Sequence, residues 1–481
     1  MTNYAKHETD EVAEPVQKWT HQIGGIEFLN THPASLLNCV MGGGKSFMAI
    51  QNIRHVAAHP GAKTLILCPA AVLGVWLREF WKHADKQFDV LILDSKSNSA
   101  KKAEMIYEAL KLQQSHRRPL VIVLNYESFW RPEVFKVLMS CRFDKILLDE
   151  IHRIKSHSAQ CSKSAWKLGK NTDSRTGLTG TFLPNTPGDC FAQFRFLDDS
   201  IFGRYWTHFK AQYAIMDRYI PQKVSKWINL EDMQRKINRI MFQIGSEVLV
   251  LPERQDIQIE VNLSPAGRKI YSEMRKESIA FIKRSMEGSD DGDVRTAIGS
   301  NGAVQFLRLL QIANGYVTDD EGVEVITDTE KRRVLLDMLQ DIDEPVVVFG
   351  YFKHDLAIVE KCAAILGRRY GEISGRRKDL TPHATYPEDI DIMGVQAKSG
   401  SAGIDLTRAR IGFILNSGLL SPGDHSQMLA RMHRPGQLRP VTYYTLVTKN
   451  TVETKLIDER GRKRDIVDVL LSDLKEDDCI F

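Results

Sequence analysis

The run Met41-Gly42-Gly43-Gly44-Lys45-Ser46 follows a short apolar stretch and opens a helical pattern. Glycines let backbone amides curl around phosphate oxygens, and a helix N-terminus adds favourable electrostatics. In such a loop Lys45 reaches the β and γ phosphates of a nucleotide and Ser46 holds Mg²⁺. The usual spacing has glycine where this chain has Cys39, and a plain glycine turn is the competing reading. Farther on, Asp149-Glu150-Ile151-His152 follows the apolar run Ile146-Leu147-Leu148. A buried strand ending in two carboxylates sets them at the carboxyl edge of a sheet, where α/β folds bind ligands. Asp149 suits Mg²⁺ coordination through water, and Glu150 suits general-base activation of an attacking water. His152 either couples this motif to a neighbour or only packs. Leu178-Thr179-Gly180-Thr181 brings small hydroxyl residues that can hydrogen-bond the acidic motif.

A second group lies near the C-terminus. In Gln427-Met428-Leu429-Ala430-Arg431-Met432-His433-Arg434-Pro435-Gly436-Gln437, a continuous helix would place Gln427, Arg431 and Arg434 on one face. Two guanidinium groups there suit a triphosphate and act as arginine fingers. A solvated basic helix face is the alternative. The small-residue run Ala397–Thr407, with Gly403 and Asp405, allows close backbone approach to phosphate. Gly403, Asp405 and Gln427 therefore join Gly42, Gly43, Gly44, Lys45 and Ser46 as nucleotide-binding candidates. The catalytic candidates are Lys45, Asp149, Glu150, Arg431 and Arg434.

Two α/β patterns position these groups. Between Ser35 and Leu178 the strand candidates Ser35–Val40, Thr64–Cys68, Val90–Leu93, Leu120–Leu124, Lys145–Leu148 and Gly177–Leu178 alternate with helical stretches such as Ser46–Ala58 and Ser99–Gln113. That rhythm predicts a parallel sheet covered on both faces. The pattern returns at Val346–Phe349, Glu372–Ile373, Asp391–Gln396, Ile411–Leu415 and Val441–Leu446. The expected organisation is an N-terminal tail over 1–18, a first lobe over 19–255 with a helical insertion at about 186–250, a helical linker over 256–326 holding the polar loop Glu287–Asp293, and a second lobe over 327–481.

Composition bounds the rest. The chain has 481 residues, long enough for two or three domains. Its formal net charge is +4, so any basic surface must be local. Candidates are Arg376, Arg377 and Lys378, and Arg460, Arg462, Lys463 and Arg464. Seven cysteines without a CxxC pair argue against a zinc module or a disulfide scaffold and suit a reducing cytoplasm. The N-terminus lacks the apolar core of a signal peptide, and no apolar run is long enough to span a membrane.

The order of motifs resembles the Swi/Snf-type ATPases of helicase superfamily two, over residues 18 to 465. His21-Gln22 resembles the family's adenine-side motif, and Met41–Ser46 its phosphate loop. Leu67-Cys68-Pro69, Val75–Phe80 and Asn125-Tyr126-Glu127 resemble motifs Ia to Ic, Asp149–His152 motif II and Thr179–Asn185 motif III. Leu251–Arg254 and Leu309-Leu310-Gln311 resemble linker elements, and Phe349, Ser399–Thr407 and Gln427–Gln437 motifs IV, V and VI. Motif V departs from the family, with Ala402-Gly403 and Asp405 where two glycines and an asparagine are favoured. The resemblance implies two RecA-like lobes, ATP and Mg²⁺ as cofactors, and ATP-driven translocation on double-stranded DNA, branched or forked DNA included. A strand-separating DNA or RNA helicase is a rival reading, and a nucleic-acid-binding clamp with weak ATPase is another. The short insertions resemble a minimal motor of a bacterium or of a phage in its host's cytoplasm.

Overall fold

A computed structural model describes residues 19–460, apart from 58, 85–87, 94–96, 181, 184–185, 219–223, 288–303, 319–322, 381–384, 398–403 and 421. The chain divides into two units, one of residues 1–217 and 222–250, the other of 218–221 and 251–481.

The first unit is built on a seven-stranded sheet whose paired strands all run parallel. Its strands are β1 (Ala34–Cys39), β2 (Lys63–Cys68), β3 (Asp89–Ile92), β4 (Leu120–Asn125), β5 (Phe143–Asp149), β6 (Thr172–Thr179) and β9 (Met241–Ile244), in the order β3-β4-β2-β5-β6-β1-β9. Helices cover both faces, so the central strands bury nearly every residue. All six residues of β4 are buried, and two apolar cores form, one per face. This is why the strands read as continuous apolar runs rather than alternating ones.

The region expected as a helical insertion is mixed. Helices Cys190–Leu197, Trp206–Tyr213 and Leu230–Ile237 are present, but β7 (Ala214–Met216) and β8 (Val224–Trp227) form a hairpin, and β9 extends the main sheet beside β1. The strand expected at Gly177–Leu178 runs from Thr172. Its first half, Thr-Asp-Ser-Arg, is polar because it lies near the sheet's rim, so apolar content concealed it.

The second unit carries a six-stranded parallel sheet in the order β10-β17-β16-β13-β15-β14. The strands are β10 (Arg254–Val261), β13 (Val346–Gly350), β14 (Tyr370–Ile373), β15 (Ile392–Gln396), β16 (Ile411–Leu415) and β17 (Val441–Thr448); β11 (Tyr316–Thr318) and β12 (Glu324–Ile326) make a separate hairpin. The stretch expected as a helical linker thus begins with an edge strand. β10 has a largely exposed, polar sequence and escapes detection by hydrophobicity. The helices Pro265–Glu287 and 304–313 follow it. Two parallel α/β sheets, one per unit, are the architecture of paired RecA-like lobes. Among the described residues no helix is long and apolar enough to cross a membrane.

Candidate nucleotide site

The glycine loop leaves β1 at its carboxyl end and turns into the helix Lys45–Val56. Gly42 (φ 86°) and Gly44 (φ 90°) take left-handed backbone that other residues adopt at a cost. Gly43 is required for a different reason. A Cβ on it would meet Cys39 Sγ at 2.5 Å. Cys39 fills the space a loop glycine usually leaves open, and Gly43 makes room for it. A Cβ on Gly44 would meet Gln22 Nε2 at 2.4 Å, so buried Gln22 packs against the loop. His21 Nε2 lies 3.0 Å from the Gly43 carbonyl oxygen.

Lys45 donates to the Cys39 carbonyl at 2.8 Å and to that of Val40 at 3.4 Å, which holds its ammonium over the loop. A Cβ on Gly180 would sit 3.6 Å from Lys45 Nζ, so the Thr-Gly turn closes the same corner. Burial pushes the Cys39 thiol up, against the pull of Lys45.

The strand register brings the acidic motif to this edge. Asn38 of β1 is opposite Thr179 of β6, and Asp149 of β5 is opposite Leu178. Two interstrand steps, about 10 Å, therefore separate the end of β5 from the loop strand. Asp149 is held from two sides: Trp76 Nε1 donates to its carboxylate at 3.1 Å, and Tyr126 Oη donates to its carbonyl at 2.8 Å. Burial, then the neighbouring Glu150, raises the Asp149 carboxyl above the usual range, while Lys45 lowers it. Glu150 occupies left-handed backbone (φ 52°), a strained position for a side chain of this size. Its carboxylate lies 3.3 Å from His152 Nδ1, which is also 3.2 Å from Thr179 Oγ1. A chain of polar contacts thus runs Glu150–His152–Thr179.

The hydroxyl of Ser46, the second residue of its helix, and the Asp149 carboxylate are oxygen donors of the kind Mg²⁺ prefers. Among the described residues no group of three or more His, Cys, Asp or Glu forms a metal site. A cation here would need further oxygens from nucleotide and water, as is common for Mg²⁺.

The second unit departs from expectation. The helix bearing Gln427 spans Pro422–Leu429 and stops, so Arg431 and Arg434 lie on turns and share no helix face with Gln427. Local turn bonds continue from the helix, with the Arg431 amide donating to the Met428 carbonyl and the Met432 amide to that of Leu429, both at 3.2 Å, and tertiary bonds hold the segment. The Leu406 amide donates to the Arg431 carbonyl at 3.1 Å, and Gln437 Nε2 donates to the carbonyls of Thr407 (2.9 Å), Ala409 (3.0 Å) and Met432 (3.4 Å). Gln437 pins the segment, and Gly436 (φ 104°) completes the turn. Arg431 is buried; Arg434 donates to the Ile404 carbonyl at 3.3 Å; His433 Nε2 lies 2.8 Å from the Pro252 carbonyl oxygen. Asp405 accepts from the amide and hydroxyl of Thr407 at 3.0 and 2.7 Å, which commits one of its oxygens to a local turn. Gly403, the run 398–403, Thr181, Asn185, most of the loop Glu287–Asp293, and Arg462, Lys463 and Arg464 lie outside the described residues.

Trp76, Tyr126 and His21 bear on the site directly. Sequence placed them only within motifs, because an indole or phenol donor shows its partner only once the chain is folded.

A phosphate loop and an acidic strand end on one carboxyl edge define a nucleotide-binding α/β unit. The profile described as "SNF2-related domain" matches residues 21–302, and the chain belongs to that family. It is 25% identical over 440 residues to "DNA repair and recombination protein RDH54" of Saccharomyces cerevisiae, covering 85% of this chain and 46% of that one. It is also 25% identical to an "Uncharacterized ATP-dependent helicase" of Mycoplasma pneumoniae, covering 89% and 39%. The chain thus spans less than half the length of these curated relatives. The "Sulfolobus solfataricus SWI2/SNF2 ATPase core in complex with dsDNA" aligns with 92% of this chain and 89% of its own at 19% identity, with a TM-score of 0.41.

Proposed function

We propose that the chain is an ATP-dependent translocase on double-stranded DNA. The observation that carries this is the single carboxyl edge holding Lys45, Asp149 and the Glu150–His152–Thr179 contacts. Lys45 binds the nucleotide's terminal phosphates, with the glycine loop cradling them. Ser46 and Asp149 would hold Mg²⁺, which when bound neutralises charge on the phosphates. Glu150 takes the proton of the attacking water. The contact with Thr179 through His152 links that base to β6, a route by which the state of the nucleotide can reach the rest of the unit. Arg431 and Arg434 are the second unit's guanidinium groups of the kind that stabilise charge in phosphoryl transfer. Gln22 packs at the loop, and Gln427, Gly403 and Asp405 are the second unit's candidates for nucleotide contact. Family membership supports DNA as the track, since matched relatives are named for DNA repair and recombination and for chromatin remodelling.

The test is ATP hydrolysis by the purified chain with no nucleic acid, linear duplex, forked or branched duplex, single-stranded DNA and RNA. Duplex stimulation abolished by Glu150→Gln, a loss of about 100-fold or more, is the expected result. Stimulation by single strands or RNA alone overturns it in favour of a strand-separating helicase, and no hydrolysis under any condition points to a binding clamp.

A further inference from the structure

At the opposite end of β6 from the nucleotide site lies a pocket of about 320 Å³. Its lining includes Trp166, Lys170, Arg175, Arg195 and Arg204. Arg175 is opposite Ala34, where β1 begins, whereas Thr179 is opposite Asn38, one residue before β1 ends. Four residues of strand, about 13 Å, separate the two positions. The pocket therefore belongs to the amino edge of the sheet and is separate from the glycine loop.

Its charges are arranged for an anion. Its lining holds four cations and two carboxylates, and with Asp199 bonded to Arg204 and Asp173 to Arg142, Lys170, Arg175 and Arg195 are the cations left to face the cavity. Asp199 accepts from Trp166 Nε1 at 3.1 Å and from Arg204 Nε at 3.0 Å. Asp173 pairs with Arg142, which does not line the pocket. Lys170 Nζ lies 4.1 Å from the Trp166 ring centroid and Arg195 Cζ 4.9 Å from it, so the indole carries both cations without neutralising either. Arg195 gives one hydrogen bond, to the His157 carbonyl at 3.3 Å. The Nε atoms of Arg175 and Arg195 are buried without an acceptor among the described residues. Buried donors are normally satisfied, because leaving one unmade costs about 1–3 kcal/mol.

We infer that this pocket is a second anion site, built for phosphate oxygens. Guanidinium donors match phosphate geometry and hold their charge when half-buried. Both a soluble phosphate compound and the backbone of a nucleic-acid strand offer that chemistry.

The experiment measures inorganic pyrophosphate and short duplex DNA binding by calorimetry at low salt, in a Lys45→Ala background that disables the glycine loop. Pyrophosphate binding that survives Lys45→Ala and weakens about tenfold in Arg175→Gln, the loss of one charge-assisted bond, identifies a soluble ligand. Duplex binding that weakens in Arg175→Gln while pyrophosphate shows no binding identifies a strand backbone. Arg204→Ala, at an exposed position, is expected to weaken the same ligand about threefold and guards against misfolding of Arg175→Gln. The proposal is overturned if both variants bind both ligands as the background does, or if Lys45→Ala alone removes all binding. Neither result bears on ATP hydrolysis, which is read separately from Glu150→Gln.

Discussion

Two arginine-rich regions of this chain handle positive charge in opposite ways. Arg376, Arg377 and Lys378 are adjacent in sequence and look like a basic patch. In the fold, Arg376 grips the fully buried Glu372 with two bonds of 2.9 and 2.8 Å, and Arg377 is paired with Asp379 and Glu360. Burial by itself would raise the Glu372 carboxyl, but Arg376, with Ser374 and Tyr370, holds it below its usual range. The two arginines that by sequence are candidates for a local basic surface are therefore committed to the protein. Arg175 and Arg195 are twenty residues apart in sequence, yet they line one pocket and form no ion pair among the described residues, while Arg204 beside them is bonded to Asp199. Proximity in sequence does not make a charge available; its folded partners decide. Lys145 is a third case, buried without a carboxylate partner among the described residues and donating to Ser174 and Thr176 at 3.2 and 2.8 Å.

Lys145 gives the largest expected effect. Burial lowers its pKa to about 7, well below the unfolded value. The folded state then binds fewer protons than the unfolded state, so stability rises with pH between about 7 and about 10.5, by up to about 1.4 kcal/mol per unit. Below that window Lys145 is protonated in both states, and the full cost of burying its charge is present. Denaturant melts of wild type and Lys145→Met across this range check it: the variant should lose this slope. An equal slope in both would mean Lys145 is not kept neutral.

Arg376→Ala comes next. It strands the buried Glu372 carboxylate and should cost about 2 kcal/mol, below the range for wholly buried pairs because Arg376 is half-exposed. DNA affinity should stay within about twofold of wild type, since this guanidinium is already spent. A large loss of DNA affinity with normal stability would erase the contrast between the two regions. The smallest stability effect belongs to Arg204→Ala, within about 0.5 kcal/mol, and chemical denaturation measures it. A costlier Arg204→Ala would make the pocket cations structural and sharpen the comparison the other way.

The site was legible where function sits in consecutive residues. Met41–Ser46 and Asp149–Glu150 carry their geometry locally, since a glycine loop after a strand and a carboxylate pair at a strand end need only one connection each. Arg431 and Arg434 were legible as residues but not in placement. Beyond Leu429 the segment forms turns held by Gln437 and by the distant Leu406 amide, contacts that helical spacing does not show. β10 and the first half of β6 were missed because rim and edge strands are polar, and β9 because its partner is β1, some two hundred residues earlier.

By itself the sequence determined two parallel α/β units, the phosphate loop, the acidic strand end and the family they resemble. These depend on periodicity and short-range spacing, which the chain carries wherever it folds. Only the tertiary structure decided that Trp76 and Tyr126 hold Asp149, that His152 joins Glu150 to Thr179, that Cys39 fits because Gly43 lacks a side chain, and which arginines are paired and which are left open. Those outcomes depend on strand order and register, which set distances between residues far apart in the chain, and electrostatics and packing act on distance alone.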